Sequence, residues 1–339
     1  MRARIIFLGA SIALLPQMSF TKEIDRERLN PILGSIVKVE AIAASGNLSL
    51  GSAVSLAPGK FVTNCHVTLH AERISVLAGG QRWPVAGQLS DTLYDLCLLD
   101  IPGLKNLPAV SVRRASDLRQ GQTVIALGYT FGASLMAQAG TIKALHTLHD
   151  SRVIQTTTPF NSGASGGGLF DEDGELIGIL TFRLPGASAY YFSMPTDWLP
   201  TDIDNSEAYT KITPLSGPPP FWAHTNDALP YFMRAAALEA NGDWQGLIRL
   251  TETWAAAEES NAEPWFMRGQ AYSHIDRNEA AIKAYKNALN RDPTFAPIWH
   301  NIGEAYFRRG DRSEVINTYN VLKKLDTELA EDLAVKCGL

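Results

Sequence analysis

At 339 residues the chain has room for two domains, and with 45% apolar and 19% charged residues it reads as globular, which excludes an extended disordered chain. Lys and Arg number 30 against 35 Asp and Glu, a net charge of −5 with no basic run, so nucleic acid is not an expected partner.

The chain begins Met1-Arg-Ala-Arg4, then come 11 mostly apolar residues, Ile5 to Leu15, closed by Pro16. Spanning a bilayer takes about 20 apolar residues, so residues 1–20 read as a secretory signal peptide, or as an anchor if they are retained. Membrane contact is expected only in the second case. From Ile32 onward come short apolar runs separated by turns: Ser35 to Ile42, Ser49 to Leu56, Lys60 to Thr63, Ile74 to Leu77 and Leu96 to Ile101. Gly46-Asn47, Pro58-Gly59 and Gly79-Gly80 supply breaks, and the set predicts a first β-barrel. Ala109 to Gly121 reads as a connection. A second barrel is predicted from Thr123 to Gly128, Gly140 to Leu145, Val153 to Thr157, Leu176 to Phe182 and Ala189 to Met194. At Thr213-Pro-Leu-Ser-Gly-Pro-Pro-Pro220, four prolines in eight residues predict an extended, semi-rigid spacer that tethers the C-terminal part.

Beyond the spacer the pattern is helical and repeats. Trp265, Gly269, Tyr272, Ala281, Tyr285, Ala288 and Pro293 match the 34-residue tetratricopeptide spacing. Trp299, Gly303, Tyr306 and Tyr319 lie one period later, and Tyr231, Ala235 and Leu238 form a weaker match one period earlier. Large residues filling the space left by Gly or Ala on a facing helix give such a stack its core, and its concave surface suits a protein partner.

Chemistry concentrates in Asn161-Ser-Gly-Ala-Ser165-Gly-Gly-Gly168. Each glycine gives up much backbone freedom on folding, so this density calls for a reason beyond a loose turn. Acyl transfer supplies one: a projecting Ser165 hydroxyl beside the amides of Gly163 and Ser165, which converge where an oxyanion forms. A nucleophilic serine needs a base and an orienting acid that are distant in sequence. His66 ends the apolar run Phe61-Val-Thr-Asn-Cys-His66, and Asp95 heads Leu-Cys-Leu-Leu. Asp91 and Asp100 are competing acids. The order His66, Asp95, Ser165 is that of the chymotrypsin-like double barrel.

With those residues in view, Thr63-Asn-Cys-His66-Val, Asp95-Leu-Cys-Leu-Leu and Asn161-Ser-Gly-Ala-Ser165-Gly-Gly-Gly-Leu resemble the motif blocks of trypsin-like serine proteases of the bacterial high-temperature-requirement type. Ala126-Leu-Gly-Tyr-Thr-Phe-Gly132 and Tyr190-Tyr-Phe-Ser-Met-Pro195 agree, so the resemblance covers about residues 32–200. It implies a multidomain chain: an all-β chymotrypsin-like double barrel over 30–205, a Pro-rich linker over 206–222 and an all-α tetratricopeptide-repeat domain over 223–339. The implied activity is serine endopeptidase action on a protein or peptide substrate, with catalytic His66, Asp95 and Ser165, an oxyanion hole at Gly163 and Ser165, and no cofactor. Asp95, alone of the three acids, stands immediately before the buried run as the family has it. The resemblance also places Pro159, Thr181, Phe182, Arg183 and Tyr190 around the substrate pocket, which lacks an acid at its base, and puts the protein in the periplasm or outside the cell.

Ala164 departs from the family's Asn or Asp, which removes a route to zymogen activation and one support for Gly163. Gly168 replaces a proline and is expected to add flexibility. Cys65 and Cys97 stand close to the triad residues, and both a disulfide and two buried free thiols remain open. No Cys-x-x-Cys or His-x-x-x-His pattern indicates a metal, and His70, His146 and His149 read as surface or structural residues. The alternative function is a catalytically idle protease-like scaffold that binds partners through its repeats.

Overall fold

The computed structural model describes residues 30–339 except 31, 185–189 and 202, so the N-terminal signal or anchor segment and Ala189, the expected start of the last strand, lie outside the described residues. In the N-terminal part, β1 (Ile36–Ala43), β2 (Leu48–Ala57), β3 (Lys60–Thr63), β4 (Ala71–Ala78), β5 (Gln81–Pro84), β6 (Gly87–Asp91) and β7 (Leu96–Asp100) form one antiparallel sheet, ordered β5-β4-β1-β2-β3-β7-β6. A short helix, α1 (Cys65–Thr68), comes after β3. The sheet is seven-stranded and open, where the sequence predicts a barrel. Its β6 edge is covered by the polypeptide beyond the second barrel, through paired hydrogen bonds between Gln88 and Thr210. Covering an edge removes a row of unpaired amides that would otherwise invite aggregation. Gly79 and Gly80, both at positive φ, make the β4–β5 hairpin, a turn that would strain any residue bearing a Cβ.

The second unit is a closed barrel of β8 (Thr123–Thr130), β9 (Ser134–Leu148), β10 (Ser151–Thr156), β11 (Gly168–Asp171), β12 (Leu176–Arg183) and β13 (Tyr191–Pro195). β9 runs much further than the predicted stretch from Gly140 to Leu145. Its first half is exposed or half-buried throughout, yet pairs with β8 along its whole length. Apolar side chains fill each unit separately: Val37, Phe61, Val76 and Leu99 in the sheet, and Val124, Ile142, Ile154 and Leu180 in the barrel. Gly168 sits inside the β11 ladder under the Phe170 ring, where an added Cβ would come within 2.3 Å of Phe170 Cε2. It leaves room for that ring and pairs in the ladder on both sides, with Ile179 and with Leu127.

The C-terminal part is helical: α2 (Tyr231–Ala240), α3 (Trp244–Ala257), α4 (Glu263–His274), α5 (Asn278–Leu289), α6 (Ala296–Arg309), α7 (Arg312–Leu325) and α8 (Thr327–Cys337). The first six make three antiparallel pairs in the register of the 34-residue period, and α8 packs against α6 and α7 at the end. The small-to-large fit is direct. A Cβ on Gly269 would lie 2.3 Å from the ring of buried Tyr285, and Gly303 faces Leu333 and Thr318.

The helical part is not held by a free tether. A single apolar cluster runs from Leu98 and Leu127 through Phe182, Phe192 and Trp198 to Phe221, Phe232 and Trp254. Phe232 of α2 stacks on His146 of β9 at 4.5 Å, Lys143 reaches Glu239 at 3.2 Å, and Glu263 at the start of α4 bonds His146 Nδ1. The proline-rich linker is laid on the protein: Leu215 N–H donates to Leu69 O (2.8 Å), Phe221 N–H to Leu93 O (3.2 Å), and Gly217 packs against Thr92.

Candidate active site

α1 turns the chain immediately after β3 and sets His66 at the mouth of the groove between sheet and barrel. Asp95 occupies the turn before β7 in a left-handed conformation (φ 59°), which aspartate tolerates better than most residues. Its side chain is buried, and its carboxylate accepts the His66 backbone N–H (2.7 Å) and meets His66 Nδ1 at 2.6 Å. The Asp95 carbonyl in turn accepts Asn64 Nδ2 (3.0 Å) and Cys65 N–H (3.3 Å), so the acid is held from both ends. A proton on Nδ1 satisfies Asp95 and leaves Nε2 as the basic nitrogen. Asp91 instead accepts from its own turn, at Tyr94 N–H, and Asp100 pairs with Lys60. Cys65 and Cys97 are joined as a disulfide, which resolves the two readings left open by the sequence. A loop of this length, with a sequence separation of 32, constrains the unfolded chain by about 3 to 4 kcal/mol.

Across the groove, the loop before β11 presents Ser165. Its Oγ donates to Thr181 O (3.3 Å), and among the described residues it makes no hydrogen bond to His66. Rotation about χ1 would redirect it. The preceding peptide is fixed by long-range contacts. Ser162 O accepts Phe131 N–H (2.7 Å), so the Gly163 N–H on the same trans peptide points the opposite way. Gly163 adopts φ 92°, and a Cβ there would lie 2.6 Å from Tyr129 O, so glycine is required. Gly163 O accepts Ser52 Oγ (2.8 Å), while Ser52 Oγ also accepts Tyr129 N–H (2.8 Å) and Ser52 N–H donates to Ser165 O (2.8 Å). The amides of Gly163 and Ser165 have no acceptor among the described residues, whereas those of Ala164, Gly166 and Gly167 are all bonded. Ser52 therefore supplies the support that Ala164 lacks. Nothing in the sequence singles Ser52 out, because its partner lies 111 residues away.

The residues expected around the substrate pocket fall into two groups. Thr181 and Phe182 lie beside Ser165 on β12, and exposed Arg183 comes next. Leu184 N–H donates to Tyr190 O, so the alternation of an antiparallel ladder turns the Arg183 backbone groups away from β13, toward the groove. Tyr190, by contrast, is buried: Lys143 Nζ of β9 stands over its ring at 4.0 Å, and Glu239 of α2 accepts a hydrogen bond from its hydroxyl. Its hydroxyl pKa is pushed up by burial, with the nearby Glu239 adding to it, and it is not a free pocket wall. Pro159 is exposed. Trp222 carries no signal in the sequence, yet its ring meets His66 edge-on at 5.5 Å and stacks on Phe182 at 5.2 Å.

Residues 51–179 match the family model of the trypsin-like peptidase domain, and residues 269–310 match that of the TPR repeat. A probable periplasmic serine endoprotease, DegP-like, of Buchnera aphidicola is 36% identical over 141 residues, 39% of this chain and 30% of that protein. The mitochondrial serine protease HTRA2 of Bos taurus is 31% identical over 173 residues, 48% of this chain and 37% of that protein. The chain thus spans about a third of the length of these curated relatives. Among solved structures, the active form of the Rv3671c protease of M. tuberculosis superposes with a TM-score of 0.51, covering 63% of this chain and 97% of that one, at 18% identity, a likeness of fold. With a chymotrypsin-like pairing of sheet and barrel around His66, Asp95 and Ser165, the chain carries a trypsin-like peptidase domain whose relatives are HtrA and DegP serine proteases, and tetratricopeptide repeats after it.

Proposed function

We propose that the protein is a serine endopeptidase in which Ser165, His66 and Asp95 form the catalytic triad and the repeats recruit a protein substrate or partner. The observation that carries this reading is the pair of acceptor-free amides, Gly163 and Ser165, flanking a serine hydroxyl across the groove from a histidine held by a buried carboxylate. In this mechanism Ser165 Oγ attacks the peptide carbonyl carbon as His66 Nε2 takes its proton. The carbonyl oxygen becomes an oxyanion and accepts the two amides. Asp95 keeps the Nδ1–H tautomer and stabilises the imidazolium, which then protonates the departing amine. Water, deprotonated by the same nitrogen, cleaves the acyl-enzyme and restores Ser165. The substrate backbone runs along the free edge of β12 at Arg183, adding a short strand.

The disulfide and the periplasmic naming of relatives support an envelope or secreted location. Among the described residues no helix is long and apolar enough to cross a membrane. The deciding experiment is labelling with a fluorophosphonate probe and assay on a short peptide, with Ser165→Ala as the control. The native protein is expected to label, and the variant to lose labelling and roughly 10⁶ in turnover while melting within a few degrees of the native protein. Peptidase activity in the variant within tenfold of native would overturn the assignment, and an unlabelled native protein would favour the idle scaffold.

A further inference from the structure

One residue of the linker region, Trp222, lies where a substrate must pass. Thr181 O is bonded to Ser165 Oγ, so the residue whose carbonyl is attacked lies opposite Thr181 on the β12 edge. In an antiparallel pair, residues directly opposite one another project to the same face. The substrate residue one step toward the amino end therefore lies opposite Phe182 and directs its side chain to the face that carries the Phe182 ring. That face is already occupied. Trp222 stacks on Phe182 with an interplanar angle of 20°, and its edge-on contact with His66 closes the space between the two rings. Phe182 is consequently 8% exposed, sandwiched between Trp222 and Phe192, the latter at 4.8 Å.

Trp222 is also held in place. Phe221 N–H donates to Leu93 O, Ala223 N–H donates to Pro220 O to form a single tight turn, and Phe221 is buried beside Trp198 at 6.1 Å. Pro218 to Pro220 fix φ on the preceding side. An indole anchored on both sides behaves as a wall and not as a swinging lid. Its Nε1–H is buried and has no acceptor among the described residues.

We propose that Trp222 is a specificity-determining residue contributed by the linker: it fills the subsite between His66 and Phe182 and restricts the substrate residue immediately before the attacked one to glycine or alanine. This rests on the serine peptidase reading and adds to it a preference set outside the β-sheet unit.

The test uses the full chain as native protein, Trp222→Ala and Trp222→Leu, each given a randomised synthetic peptide library whose cleavage products are sequenced by mass spectrometry. Native protein is expected to favour Gly and Ala over Leu and Phe at that position by about tenfold or more, the scale on which a pocket excludes added methylenes. Trp222→Ala should bring that ratio to within about threefold of unity, and Trp222→Leu, which keeps a smaller apolar side chain, should fall between. An unchanged ratio in Trp222→Ala overturns the proposal. So does a native protein without small-residue preference, and so does a rate gain in Trp222→Ala that is uniform over all residues, the mark of simple obstruction. Fluorophosphonate labelling of the same samples separates the two levels: an unlabelled native protein defeats the peptidase reading, whereas a labelled but unselective one defeats only this inference.

Discussion

The serine loop and the repeat stack solve the problem of holding a backbone in opposite ways. In the stack, small residues take large ones from helices within one repeat length, Gly269 under Tyr285 and Gly303 against Leu333 and Thr318, so partners are near in sequence. In the loop the Gly163 peptide is positioned by groups from elsewhere: Ser52 on β2 at its carbonyl, and Phe131 at the end of β8 on the carbonyl before it. Damage should therefore appear as lost chemistry in the loop and as lost stability in the stack.

The sharpest way to break this contrast is Ser52→Ala. It strips Gly163 O and Tyr129 N–H of their shared partner and frees the peptide to turn. A drop in kcat of roughly 10² is expected, the scale of losing one oxyanion donor, with KM little changed. Steady-state kinetics on a short peptide read it; a normal kcat would mean the loop holds its shape without Ser52. The next largest effect is expected of Gly269→Ala, whose methyl would press on the Tyr285 ring. Overpacking of this kind costs about 1 to 3 kcal/mol, seen as a lower melting temperature with unaltered kcat on the short peptide. Parallel loss of kcat would show that the stack helps to shape the groove.

The smallest effect tests the seam between the two parts. Burial alone would lower the pKa of His146, but the charge and hydrogen bond of Glu263, the bond to Gln155 and the charge of Glu239 outweigh it and raise the pKa above its ordinary value. A histidine raised in the folded state contributes stability that is complete below its unfolded pKa of about 6.5 and fades as pH climbs through the folded one. The melting-temperature gap between native protein and His146→Gln should therefore be widest in mild acid and shrink on the alkaline side. A gap that does not vary with pH would leave the stack on Phe232 as the whole of the contribution.

The repeats are legible in the sequence because their contacts are local and periodic, and the His66, Asp95 and Ser165 blocks are legible because tight turns and apolar strands flank them. The structure bonds Asp95 to His66 and sets the Ser165 loop against Ser52 and Thr181. What escaped depends on distant partners. Ser52 is an unremarked residue of a strand until Gly163 is folded against it. Tyr190 stands in a recognisable block, yet its contacts with Lys143 and Glu239 carry no signal in the sequence. Four prolines predict an extended backbone, but propensity does not encode whether such a segment is free, and the bonds to Gln88, Leu69 and Leu93 decide that it is not. The thiols of Cys65 and Cys97 were equally compatible with two chemistries until the register Thr63 to Cys97 brought them together.

The shared apolar cluster limits recombination. A change of composition at residues 213–220 looks like the place to splice a different repeat array onto this peptidase unit, yet a cut there would bare Phe182, Phe192 and Tyr190 and remove Trp222 from beside His66. Met267 and Ala271 on α4 belong to that same cluster, while Phe266 and the apolar residues from α5 onward pack in a second one. The two clusters divide within α4, so a chimera that keeps the barrel must keep α2, α3 and α4 and also a ring like that of Tyr285 to pack on Gly269.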